Sequence, residues 1–196
     1  KWLREAAVLT GAAANFIANL FLFGKEAVFT ASWCGFGIDF SLRLYQFSRW
    51  ILFFAGAFSF LVVLYSAVFL KNKPNTRGFY AGLLFTLAFA NGAVLANNLA
   101  VMLFFWEGIL ATMYIMILSG GGKAHKTATK AIVIGWLSDL CLMLGIAMAG
   151  YLAKTLTMDS IHLSMDFWGT FAFILMMIGA ISKAGAMPFH TWIPDA

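Results

Sequence analysis

The sequence predicts an all-α polytopic membrane protein, with six transmembrane helices joined by short loops and one short β segment outside the bilayer. Three observations predict it. Of the 196 residues, 62% are hydrophobic and only 11% are charged, with a mean hydropathy of +0.87. A soluble domain that apolar would lack the polar surface to cover its core. The apolar residues also fall into runs of about 20, the length an α-helix needs to cross a hydrocarbon layer of roughly 30 Å. Finally, the cations lie in short loops between these runs. The net charge of +5 therefore reads as membrane topology, and a nucleic-acid partner is not expected.

The first run covers 5–23 and follows Lys1-Trp2-Leu3-Arg4 without a cleavage signal. The second covers 47–70, and Pro74 and Asn75 mark the loop behind it. The third (79–96) and fourth (99–118) are separated by Asn97-Asn98 alone, and Gly120-Gly121-Gly122 ends the fourth. The fifth, 127–153, is longer than a bilayer is thick, so it tilts or protrudes. The sixth covers 167–186. One stretch breaks the helical pattern. Phe36, Ile38, Phe40, Leu42 and Leu44 alternate with Gly37, Asp39, Ser41 and Arg43. Period two means a strand or hairpin with one wet face, and it belongs outside the bilayer, where unpaired backbone is tolerated. The chain starts at Lys1 and stops at Ala196. Both ends look cut, as in a piece of a longer chain or a split subunit. Residues 1–196 read as one partial membrane domain: two helices and the strand segment over 1–75, the remaining helices over 76–196.

Loop charge sets the orientation. One side holds Lys1, Arg4, Glu5, Lys71, Lys73, Arg77, Lys123, Lys126 and Lys130, eight cations against one acid. The other holds Lys25, Glu26, Asp39, Arg43, Arg49, Lys154, Asp159 and Asp166, which cancel. The first side is expected to be cytoplasmic and the strand segment to face the opposite compartment. Cys34 and Cys141 make no framework and read as small apolar filler. With no CxxC, HExxH or Gly-rich phosphate loop, no cofactor or metal is expected in this chain.

The chemistry lies in charges inside apolar runs, each costing roughly 2.5–3.5 kcal/mol at the bilayer centre on insertion scales. Glu107 sits about eight residues into its run, in Phe105-Trp106-Glu107-Gly108, ~12 Å along a helix. No lysine or arginine lies one turn away, so its partner comes from another helix or from water. The bland alternative is a protonated packing carboxyl. Lys183 precedes Ala184-Gly185-Ala186-Met187-Pro188. Pro188 cannot donate to the carbonyl of Ala184, and Gly185 loosens the same turn, so the helix should break just after Lys183. Broken membrane helices are tolerated where they line a wet cavity or are buried in protein; the alternative is a lysine snorkelling to the cytoplasmic face. Asp139, midway along the fifth run near Trp136 and Ser138, reads as a path residue or a packing hydrogen bond. Lys130, at the cytoplasmic end of that run, reads as a path residue or a snorkelling one. His190, behind the break, is a proton relay by its pKa near ~6.5, or an interfacial structural residue. His125 and His162 are loop residues without a role. In the expected pair, Glu107 and Lys183, burial disfavours the ionised form of each group and an opposite charge favours it. The two then titrate together, and a cation arriving at one site can unload a proton from the other.

Two stretches carry a family resemblance. Asn97-Asn98-Leu99 through Phe105-Trp106-Glu107-Gly108, and Ser182-Lys183-Ala184 through Pro188-Phe189-His190-Thr191-Trp192-Ile193-Pro194-Asp195-Ala196, resemble the antiporter-like subunits of respiratory complex I. Their relatives occur in membrane-bound hydrogenases, formate hydrogenlyase and Mrp cation/proton antiporters. The segment Ile38-Asp39-Phe40-Ser41-Leu42-Arg43-Leu44 resembles the hairpin before that family's third helix. The resemblance implies an inverted-repeat fold of which this chain holds helices two to seven, with a broken helix at its C-terminal end. Residues 76–196 would then be the first part of the antiporter repeat. It implies Glu107 as the modulating carboxylate and Lys183 as the proton-carrying amine. Asp139 matches a sixth-helix acid that in the largest complex I antiporter-like subunit follows an arginine by three residues; here that position is Trp136.

The function expected is a proton- or sodium-translocating, non-redox subunit of a redox-driven complex, of the NADH:quinone oxidoreductase or hydrogenase type. It would lie in a bacterial or archaeal plasma membrane, with other membrane subunits and a soluble redox arm as partners. The alternatives are an Mrp-type cation/proton antiporter subunit without electron transfer and a truncated structural or assembly subunit. Lys183, Glu107, Asp139, His190 and Lys130 are the expected translocation residues.

Overall fold

The computed structural model describes residues 2–33, 35, 38–71, 73, 76–122 and 124–195. Among these, six helices and a two-stranded hairpin form in chain order: α1 (Trp2–Leu22), β1 (Ala27–Ser32), β2 (Asp39–Leu44), α2 (Gln46–Phe69), α3 (Thr76–Leu95), α4 (Leu99–Leu118), α5 (Ala124–Ala153) and α6 (Phe167–Lys183). A 3-10 segment, Phe189–Asp195, follows α6. The first five helices are each long and apolar enough to cross a membrane; α6 is apolar but shorter, at 17 residues. Helices of this length and composition suit an integral membrane protein, and the exposed large side chains, such as Phe58, Tyr65, Val68 and Leu137, suit lipid contact.

The helix ends follow the local chemistry. Asn98 caps α4 by accepting from the Ala100 N–H at 2.9 Å, and Asp166 caps α6 by accepting from the Gly169 N–H at 2.8 Å. The expected end of the sixth helix at 186 moves back to Lys183. There the Ala184 N–H bonds to Ala180 O at 3.3 Å, and Gly185 turns the chain at φ +65°. A side chain at Gly185 would strike Ile193, which folds back over it. At 30 residues α5 is about 45 Å long, longer than a hydrocarbon layer is thick. The loop positions Pro74 and Asn75, the filler Cys34, and Phe36 and Gly37 of the expected alternation lie outside the described residues.

The period-two stretch is the second strand of an antiparallel hairpin, paired from Ala27↔Leu44 to Ser32↔Asp39. The wet face expected at Ser41 is corrected: Ser41 is buried. The free edge of β2 meets the extended residues between α3 and α4, through the bridge Leu42↔Ala96 and the Asn97 N–H donating to Ser41 O at 2.9 Å. A small hydroxyl fits under that contact. The same linker continues outward. The Met158 N–H donates to Asn97 O at 2.8 Å, the Leu99 N–H donates to Leu156 O at 2.9 Å, and Asn98 bridges to Thr157. Arg43 of β2 pairs with Asp159 at 3.4 Å, and Asn97 Nδ2 donates to the same oxygen at 3.4 Å. Four extended segments, β1, β2, 96–98 and 156–158, thus pair side by side at this end of the bundle.

Glycines set the helix spacing around the later helices. A Cβ on Gly135 of α5 would lie 2.6 Å from Leu110 of α4. One on Gly145 would lie 2.9 Å from the Ala172 carbonyl of α6, and one on Gly179 would lie 2.6 Å from Leu142 Cβ. Without side chains there, α4, α5 and α6 approach closely, the usual means of packing helices where lipid removes the hydrophobic drive.

Candidate functional site

The site forms where α4, α5 and the end of α6 converge. Asp139 lies halfway along α5 and is 2% exposed. Lys183 Nζ, at the last residue of α6, donates to Asp139 Oδ2 at 2.7 Å, and its side chain is 16% exposed. Trp106 of α4 donates its indole Nε1–H to the other oxygen, Asp139 Oδ1, at 3.0 Å. The Trp106 ring also lies 5.6 Å from Lys183 Nζ, within cation–π range. One buried carboxylate therefore accepts from two helices at once. Charge and hydrogen bonds together satisfy it, as a buried ion pair requires.

The expected direct pair of Glu107 and Lys183 is corrected: the direct partner of Lys183 is Asp139. Consecutive helices pack as neighbours more often than not, and Asp139 is on α5, next to α6 in the chain, whereas Glu107 is on α4. Glu107 stays close, within electrostatic reach of both Asp139 and Lys183. Its Oε1 is buried without a hydrogen-bond partner among the described residues. The site holds two carboxyls and one amine, an arrangement in which the amine has a second acid to turn to.

The remaining candidates lie toward the Ala124 end of α5. Lys183 turns to Asp139: α6 stops beside the middle of α5, about 22 Å from the Ala124 end by the helical rise. Beyond it, residues 184–195 run as a strap along the half of α5 that starts at Ala124. Lys130 lies further along the same helix, toward Ala124. Its Nζ donates to Thr191 O and pairs with Asp195 Oδ2 at 2.7 Å. His190 lies in the strap, half-buried, with Nδ1 buried and unpartnered among the described residues. Trp136, where the family resemblance puts an arginine, is exposed and takes no part. Among the described residues no group of three His, Cys, Asp or Glu side chains gathers to hold a metal ion.

Sequence reasoning missed the indole donor and the pairing of Asp139. The signal for the second was the order of helices along the chain. The indole had a weaker one, the Trp next to a membrane carboxyl, since a buried indole N–H seeks an acceptor.

Comparison with known proteins matches the family described as NADH:quinone oxidoreductase/Mrp antiporter, TM, over residues 96–196, just over half of the chain. The Na(+)/H(+) antiporter subunit A1 of Staphylococcus haemolyticus is 27% identical over 181 residues, which covers 88% of this chain and 22% of that protein. Two solved structures share the fold. One is the Mrp complex from Dietzia sp. DQ12-45-1b, with TM-score 0.89 and 22% identity over 98% of this chain and 22% of that one. The other is respiratory complex I from Thermus thermophilus with bound NADH, with TM-score 0.83 and 20% identity over 97% of this chain and 42% of that one. The chain spans about a fifth of the length of the curated relatives it matches.

Proposed function

From the premise that the chain belongs to the NADH:quinone oxidoreductase/Mrp antiporter transmembrane family, we propose that it carries a half-path for a proton, exchanged against a cation, within a larger membrane complex. The observation that carries this is the Lys183–Asp139 contact at 2.7 Å at a helix break, with Glu107 in reach of both. Lys183 is the proton-bearing amine. Asp139 holds it charged, and Glu107 is the competing acid. A cation or proton arriving at Asp139 weakens its hold on the amine, which then either turns to Glu107 or gives its proton to the strap, where His190 can receive it. Opposite charges that favour the ionised forms of each other supply the coupling.

In this reading α6 and the strap together complete a sixth crossing, the chain corresponds to helices two to seven of an inverted-repeat fold, and residues 76–196 begin the repeat. The lysine-rich loops face the cytoplasm, and other membrane subunits supply the rest of the path.

Two drivers remain in play, each with its own support. The 27% identity to an antiporter subunit favours an Mrp-type exchanger, which we place first. The fold shared with complex I favours the redox-driven subunit, with a soluble arm as a further partner. The deciding experiment uses the intact complex in sealed vesicles. Cation/proton exchange driven by an imposed pH gradient without electron donor identifies the exchanger; transport only with electron donor identifies the redox-driven form. Lys183→Ala stops transport in either case. Full transport by that variant overturns the reading.

A further inference from the structure

The strap behind the helix break is held at its far end by a cluster that the transport chemistry above leaves unused. Thr127 Oγ1 donates to the backbone carbonyl of Asp195 at 3.1 Å, and Lys130 Nζ reaches both the backbone carbonyl of Thr191 and the Asp195 carboxylate. Thr127 and Lys130 are three residues apart on α5 and share a face. At the near end, α6 stops at Lys183, which is tied to Asp139 of the same α5. The Gly185 N–H donates to Ser182 O and the Ala186 N–H to Ile181 O, so the chain folds back at once, with Ile193 over Gly185. The 3-10 segment between these anchors carries His190, whose Nδ1 is buried and unpartnered among the described residues.

We propose that Thr127, Lys130 and Asp195 form a latch that pins the strap to the half of α5 that starts at Ala124, and that Lys130 is a positioning residue for His190 rather than a carrier of the transported proton. The geometry separates these roles. A carrier must hand its proton to a group within hydrogen-bond reach. The partners of Lys130 are a peptide carbonyl, which does not take a proton, and the Asp195 carboxylate, which the path proposed above does not use. Asp139 is nine residues further along α5, about 14 Å by the helical rise. A half-exposed ion pair alone contributes little. Here the ammonium also bonds the backbone, and Thr127 adds a second bond, so release frees five consecutive residues together. The positioning role rests on the translocation reading above; the latch itself does not.

Two readouts on the intact complex test it. Hydrogen exchange of the peptide spanning 186–195 reports opening of the strap directly. Lys130→Met and Asp195→Asn are expected to speed it about tenfold, with 140–153 of α5 unchanged, and Lys130→Arg, which keeps the charge and the donors, to leave it slow. In sealed vesicles Lys130→Met is expected to lower the maximal transport rate about tenfold without moving the half-saturating cation concentration, and Lys130→Arg to retain it, because arginine keeps the charge and the donors. Unaltered exchange in Lys130→Met, with Asp195→Asn as the second variant should the first not assemble, overturns the latch. Faster exchange with unaltered transport overturns the positioning role. Should Lys183→Ala transport fully, the translocation reading falls, while the exchange result still decides the latch.

Discussion

Lys183 and Asp139 meet at 2.7 Å across the α5–α6 hairpin, and the carboxylate is the more deeply buried of the two, at 2% against 16% exposure. The pair joins the last residue of one helix to the middle of another. Its geometry depends on α6 ending where it does and on the two helices lying close.

The pair separates stability from transport. Lys183→Met leaves a buried carboxylate unpaired and is expected to cost about 3–5 kcal/mol, read as a lower melting temperature in detergent. The double variant Lys183→Met with Asp139→Leu removes both charges and is expected to recover most of that stability while transport in vesicles stays absent. Recovery of transport by the double variant would remove both residues from the path.

Trp106→Phe keeps the ring but deletes the donor to Asp139 Oδ1. A hydrogen bond to a charged group is worth about 1.5–3 kcal/mol, so a stability loss in that range is expected. Transport should slow as well, because the carboxylate loses the contact that orients it. Thermal unfolding and vesicle transport on the same preparation check both.

Gly179 lies one turn before Lys183 and faces Leu142. Gly179→Ala puts a methyl 2.6 Å from Leu142 Cβ and is expected to push α6 from α5, costing about 1–3 kcal/mol by overpacking. Leu142→Gly in the same chain removes that Cβ and opens room for the methyl. Restored transport in the double variant, against loss in Gly179→Ala alone, shows that helix spacing positions the amine. Equal loss in both denies it.

Asp166 caps the N-terminal end of α6. The Gly169 N–H that it accepts holds its carboxyl below the ordinary value of 3.8, with Ser164 adding to the effect. A carboxyl held low in the native state gives up its proton more readily there than in the unfolded chain. Its stabilisation is therefore complete above that ordinary value and fades as pH falls through the lower native one. The stability difference between the native chain and Asp166→Ala should be flat at neutral pH and shrink in acid below about pH 4. A difference that grows in acid contradicts the cap.

The helices were legible in the sequence because the bilayer imposes a length on apolar runs, and each expected run has its helix within three residues at every end, with shifts of three at the starts of α1, α3 and α5 and at the end of α6. The break after Lys183 was legible from Gly185 and Pro188, since both act locally through the backbone. Partner choice was not. With Glu107 and Asp139 both inside apolar runs, only the lateral packing of α4, α5 and α6 decides which acid takes the amine, and that packing rests on contacts such as Gly179 against Leu142. The Ser41 face of β2 was misread for a similar reason. Alternation reports two faces, but not that the 96–98 linker would pair along the edge of the strand at Ser41.

The extended linker at 96–98 has a mechanical consequence. It hydrogen-bonds to the hairpin on one side and to residues 156–158 on the other, so the ends of α3, α4 and α5 nearest it move as one plate. Tilting one helix against its neighbour there means breaking backbone bonds. Any rocking that accompanies ion passage is cheapest as a fan-like splay of the opposite ends, with the plate as pivot and the lever arm longest along α5.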